Sequence, residues 1–299
     1  MKKYLYNIVL ATLILMSTTV VNAANEVYYI NRNNIQMTEE EYNNLLSLGF
    51  TEKYIDVMDE QEFLDNKDID ATLLSTSTKY YKMTTTMRNG IKLTTTQEIT
   101  EEEATIEKEL QSQGIPNRGP AGNYYDGVIS TNAFAMTTII SGIGNTYMRF
   151  TNNVEWFTIP SDRYYDIIGI GIEADKVQMA TGIVFNQHWV TTSGVSGHGT
   201  ICAPKYVNTG SLAAFKLPEG SIQTYYMSAY FNVMKQPNVG TVTTLYAVGD
   251  YAHAINNVTP DNLMSHISIS DSFGIMIDAT YGTSFADLSP AVASFVGTW

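Results

Sequence analysis

The sequence predicts a mainly β fold, a β-sandwich or jelly-roll-like body preceded by a small α+β module of short helices and a β-hairpin. Three observations carry this. Ile168, Ile170 and Ile172 alternate with Gly169 and Gly171 in the run Tyr164 to Glu173, the period-two pattern of a central strand. About ten strand-like runs, this one among them, follow one another after Tyr124, separated by turn residues at short intervals. Composition also changes at Tyr124, from a charged region to one rich in Tyr, Thr, Ser, Gly and Asn. The bare glycine face of the Ile168 strand leaves room for a neighbouring layer to approach closely.

The chain of 299 residues opens with Lys2 and Lys3, an apolar run from Ile8 to Leu15, and Val21, Asn22, Ala23. This is the layout of an export signal, residues 1–23, cleaved near Ala23. The apolar run is too short for a membrane span, and no lipid-bearing cysteine or second apolar stretch supplies a stable membrane anchor. The expected location is extracellular. Cleavage removes two lysines and no acid, taking the formal charge from −13 to −15. So acidic a surface repels phosphate backbones, which excludes nucleic acid as a partner. Cys202 is the only cysteine, so no intramolecular disulfide can form and stability rests on burial.

Residues 24–100 form the expected first module. Thr38 with Glu41 makes a capping box flanked by Met37 and Tyr42 as a hydrophobic staple. Asp59 with Glu62 repeats the box between Met58 and Phe63, and Thr51 caps a helix between them. Gly49 stands where the first helix should end in the left-handed conformation. Three short helices follow, with Glu39, Glu40, Glu41, Glu52, Glu60 and Glu62 as solvated first-turn acids. A calcium loop starting at Asn66 is excluded, since Ala71 and Ser77 occupy its glycine and glutamate positions. Lys79 to Thr100 reads as a hairpin about Asn89 and Gly90. A three-residue turn with Gly90 in a bulge would pair Met87 with Ile91 and gather the apolar residues on one face. Residues 101–123 read as a linker, a helical or mobile stretch running into a Gly- and Pro-rich cluster.

Residues 124–299 form the β-sandwich domain. In its longest run, Tyr225, Met227, Ala229, Phe231 and Val233 make an inward row, with Thr224, Tyr226, Ser228, Tyr230 and Asn232 opposite. Rings and small polar groups at strand spacing are the chemistry that sugars and flexible protein partners use, so these five are the candidate ligand-binding residues. Burial of the two tyrosines beneath another layer is the competing reading. Ser289 and Pro290 read as cap and first residue of a terminal helix.

All four histidines fall in this domain. His188 points away from the apolar face of Ile183, Phe185, Gln187 and Trp189; His198 lies in a glycine loop; His253 follows Asp250; His266 sits on an outward row. None has zinc-ligand spacing, and no cofactor motif is present. The weak catalytic candidates are His198, Cys202, His253 and Asp250, with no nucleophile elbow around Ser196. A lone cysteine in a β-body is more often buried as a small apolar residue. Glu155, Asp162, Asp166, Glu173 and Asp175 do not specify a facing pair of carboxylates for glycoside hydrolysis.

The motif Gly249, Asp250, Tyr251, Ala252, His253, Ala254, with the Thr38 to Lys67 helices and the Lys79 to Thr100 hairpin, resembles a group of uncharacterised secreted proteins of Gram-positive bacteria. The resemblance implies export and a two-part layout and brings no activity. The reading that follows is an extracellular binding protein whose sandwich engages a glycan or protein surface. The alternatives are a hydrolase acting on wall or matrix polymer and a self-assembling or toxin-like secreted protein.

Overall fold

The computed structural model describes residues 26–112, 127–160, 163–207, 209–256, 268–270, 274–276 and 288–299. The export signal, the whole Gly- and Pro-rich cluster and His266 lie outside the described residues. The protein is mainly β: two antiparallel sheets packed face to face, with short helices on the outer face of the larger one.

The short pair β1 (Tyr29–Ile30) and β2 (Gln36–Met37) leads into α1 (Glu39–Ser47), α2 (Glu52–Ile55) and α3 (Glu60–Asn66). Each helix starts as its sequence dictates. Thr38 and Glu41 form the full capping box, Thr51 accepts from the Tyr54 N–H, and Asp59 accepts from the Glu62 N–H. Gly49, at φ 97°, ends α1 with the two reversed hydrogen bonds of a Schellman turn, Gly49 N–H to Leu46 and Phe50 N–H to Leu45. A Cβ there would also stand 2.7 Å from Ile139 Cδ1, so backbone and packing both require glycine. The last carbonyls of α1 are met by the sheet beneath: Ser141 Oγ donates to Ser47 at 2.8 Å and Asn153 Nδ2 to Gly49 at 2.8 Å.

The hairpin is β3 (Ala71–Arg88) and β4 (Ile91–Ile99). Its register corrects the sequence expectation. Met87 pairs with Lys92 and Arg88 with Ile91, leaving a two-residue turn with Asn89 at φ 51° and Gly90 at φ 75°. Two consecutive left-handed residues match the strand twist, and this local preference prevails because the tip has no core to serve. Ile91 is 63% exposed. After β4, Thr100 and Glu103 make a further capping box, and α4 (Glu101–Ser112) crosses back over the sheet, with Lys82 bonded to Glu107.

The later strands are β5 (Gly127–Ile143), β6 (Tyr147–Trp156), β7 (Tyr165–Ile172), β8 (Val177–Met179), β9 (Val184–Thr191), β10 (Ser196–His198), β11 (Ile201–Val207), β12 (Gly210–Lys216), β13 (Ile222–Lys235), β14 (Thr244–His253), β15 (Ser268–Ser270), β16 (Gly274–Met276) and β17 (Ala291–Val296). The larger sheet runs β10-β9-β13-β6-β5-β3-β4, with β8 also on β13. β3 pairs with β5 from Ala71 to Met87, so the hairpin and the later strands share one sheet. The smaller sheet runs β11-β12-β7-β14-β17, and β7 is its central strand, as its isoleucines predict. The terminal helix expected at Ser289 and Pro290 is instead β17, which buries Ala291 and Ala293 against the core and pairs with β14.

The main core lies between the sheets and gathers Ile168, Ile170 and Ile172 with Trp156, Tyr225, Met227, Phe231 and Phe215. Side-chain amides stitch the two layers where they approach. Asn152 donates to the Gly169 and Asp250 carbonyls at 2.9 and 3.1 Å. One close passage is at Gly249: a Cβ there would sit 2.1 Å from Thr138 Oγ1 and 2.4 Å from Asn152 Oδ1. Among the described residues no helix is long and apolar enough to cross a membrane.

Candidate functional site

The tyrosine row expected to face a ligand is covered. Tyr226 and Tyr230 are each 4% exposed because the outer face of β13 is the bed on which the helices lie. Phe50 meets Tyr230 edge-on at 5.6 Å, Tyr54 meets Tyr226 at 6.2 Å, and Asn66 Nδ2 bonds the Tyr230 hydroxyl at 3.1 Å. Ser228 is wholly buried beside them, and Asn232 accepts from Arg149 Nε at 2.9 Å. The helices' apolar stripe needs a partner, and this row supplies it.

The same interface encloses a polar cluster. The Glu62 carboxylate does not complete its capping box; it turns inward and is 4% exposed. It accepts from Tyr54 Oη at 3.0 Å and Asn186 Nδ2 at 2.5 Å, and lies 2.9 Å from His188 Nε2. Burial, then the Glu62 charge, push the Tyr54 phenol well above its ordinary range. Arg149 lies alongside, bonded to Asn66 and stacked over Tyr230 at 4.8 Å, and burial brings its guanidinium down to about 10. His188 also borders a cleft of about 390 Å³ between α3 and β10. Across that cleft's floor it is paired in register with His198, with Ser196 further along the same face.

The catalytic candidates do not converge. His198 borders the helix-side cleft and is exposed. Cys202 is exposed as well, which corrects the expected burial: it sits in the irregularity between Ile201 and Ala203 on β11, an edge strand. His253 is fully buried between the sheets, its Nδ1 2.7 Å from Asp166, which also accepts from the Tyr251 hydroxyl at 2.6 Å. Trp156 Nε1 completes that chain at 2.8 Å from Tyr251. Asp250 lies on the opposite face of β14 and accepts from the Tyr251 N–H at 2.8 Å. The acids considered for glycoside hydrolysis are scattered too: Glu155 pairs with Lys53, Glu173 with Lys176, and Asp166 with His253, while Asp162 is outside the described residues. Among the described residues no group of three or more His, Cys, Asp and Glu side chains is placed to hold a metal ion.

A groove that the sequence reading did not single out opens at one end of the sandwich. It has a volume of about 590 Å³ and is bounded by the start of β3, the β5–β6 turn and the segment after β17. Tyr147, Phe295 and Trp299 give it aromatic walls; Asp70, Asn145 and Thr298 add a carboxylate, an amide and a hydroxyl. The floor is fixed by main-chain bonds, since Trp299 and Val242 exchange hydrogen bonds at 2.9 and 3.1 Å and Gly297 N–H donates to Thr243 at 3.1 Å. A Cβ at Gly297 would come within 2.7 Å of the Phe295 ring tip, so a larger residue there would turn that wall aside. The Lys235 ammonium stands 5.8 Å from the Trp299 ring centre. The Trp299 indole N–H is buried and has no hydrogen-bond partner among the described residues. The available signal was the pair of aromatics about Gly297, close to a Gly144-Asn145 turn that only the fold brings beside them.

No protein-family model and no curated protein sequence matches the chain. A collagen-binding domain from a Staphylococcus aureus adhesin resembles it over 51% of this chain and 89% of that domain, with 8% identity and a TM-score of 0.27. AvmM, which catalyses macrocyclization in alchivemycin A biosynthesis, resembles it over 50% of this chain and 80% of its own, with 9% identity and a TM-score of 0.18.

Proposed function

We propose that this protein is an extracellular binding module that seats a saccharide in the groove formed by Tyr147, Phe295 and Trp299. The observation that carries the reading is the arrangement of that groove: aromatic faces for the C–H side of a sugar ring, with Asp70, Asn145 and Thr298 within the same walls for its hydroxyls. The dispersal of the catalytic candidates favours binding over hydrolysis, and the net negative charge favours neutral over anionic glycans.

The test is titration with the neutral oligosaccharides cellohexaose and chitohexaose, followed by calorimetry and tryptophan fluorescence. Binding of at least one is expected, and Trp299→Ala should weaken it by about tenfold or more, the loss of one stacked ring. Failure of both sugars to bind, or affinity unchanged in Trp299→Ala and Tyr147→Ala, would remove the proposal.

A further inference from the structure

β4 is the outermost strand of the larger sheet: β3 holds one of its sides, and no described strand pairs with the other. Its nine residues, IKLTTTQEI, are close to self-complementary when two copies run antiparallel about Thr95. In that register Ile91 meets Ile99, Leu93 meets Gln97, Thr94 meets Thr96, and Lys92 meets Glu98, and two-fold symmetry makes each match twice.

The hydrogen-bond phase agrees. A two-residue turn makes Arg88 and Ile91 a pair that exchanges both main-chain bonds, so alternate residues bond to β3. Lys92, Thr94, Thr96 and Glu98 therefore direct their N–H and C=O groups to the open side. Those four are the residues matched with one another about Thr95, so the ladder can close without a slip. Faces are kept as well: Lys92 and Glu98 lie opposite Met87 and Tyr81 on one side of the sheet, Ile91 and Ile99 opposite Arg88 and Tyr80 on the other. Ile91 and Leu93 are 63% and 47% exposed, ready apolar contacts for the pairing. Sliding the copies by two residues loses the charge match, so the register is specified.

We infer that β4 pairs with β4 of a second copy, continuing the larger sheet across a two-fold axis. The charge complementarity selects this occupant. Two acidic chains repel each other in general, and Glu98, held by Lys79 of its own chain at 3.0 Å, also meets a Lys92 only in the antiparallel register about Thr95.

Sedimentation analysis of the full chain tests it. At about 50 μM the wild type should contain dimer, the range of affinity that a short strand interface supports. K92E and E98K should each shift the dimer constant at least about tenfold toward monomer, because both place two like-charge pairs in the ladder. An equimolar mixture of the two variants should regain wild-type dimerisation, since the new carboxylate of one then meets the new ammonium of the other. Circular dichroism melts identify any variant that has lost its fold, and the mixture guards against that reading of the single variants. A wild type monomeric at this concentration, dimers that persist in both variants, or a mixture no tighter than either variant alone would each overturn the proposal.

Discussion

Glu62 stands three residues after an Asp cap, where local rules assign it to solvent, and its N–H is indeed capped by Asp59 at 2.8 Å. Its carboxylate is claimed by Asn186 and His188 on β9, far away in the chain, and no local pattern could announce them. Glu62→Ala would strand the buried Tyr54 hydroxyl and His188 ring and the half-buried Asn186 amide, and should cost about 3 kcal/mol or more, read as a lowered urea midpoint. Glu60→Ala, on the exposed side of the same first turn, should cost only a few tenths of a kcal/mol. Tyr226 and Tyr230 illustrate the same limit: period two placed them correctly on the row opposite Tyr225, but which layer covers that row is a property of the fold. Cys202 likewise has the composition of a core residue and the position of an edge residue.

Helix starts are written within four residues of the chain, so Thr38, Thr51 and Asp59 could be found by inspection. Strand positions are nearly as local; β7 and the two rows of β13 follow from alternation alone. Pairings are less accessible. Apolar grouping points to one hairpin register and the left-handed preference of Asn89 and Gly90 to the other, which prevails, while Ser289 and Pro290 carry the pattern of a helix cap and β14, the partner that makes β17 a strand, is remote in sequence. Sheet-to-sheet spacing is set at single points, and Gly249 is one. Gly249→Ala would force its methyl group into Thr138 and Asn152, whose amide bridges two strands of the opposite sheet. A loss of about 2 kcal/mol or more is expected, measured by thermal or urea unfolding, whereas Gly182→Ala meets open space and should be tolerated.

The sandwich buries phenols on both sides of its larger sheet, and this gives the whole molecule a defined response to alkali. Tyr54, Tyr225 and Tyr251 are raised well above the ordinary tyrosine range, burial first and then the charge of Glu62 or Asp166, and Tyr226 and Tyr230 are raised too. In the unfolded chain these phenols ionise near pH 10, while the folded state holds their protons. The unfolded state then binds fewer protons, so the tyrosine contribution is intact below about pH 10 and is lost as pH rises toward the folded values. Urea midpoints should fall steeply between about pH 10 and 12, and Tyr54→Phe should lessen that slope. The seating of Phe50 and Tyr54 on β13 has one more consequence. During synthesis β5 and β6 can seat the end of α1, but the aromatic part of the helices' bed is missing until β13 has been added, so the nascent amino-terminal portion cannot lock fully ahead of the rest. A polypeptide with that dependence closes its helical layer only once the strand that carries Tyr226 and Tyr230 has emerged.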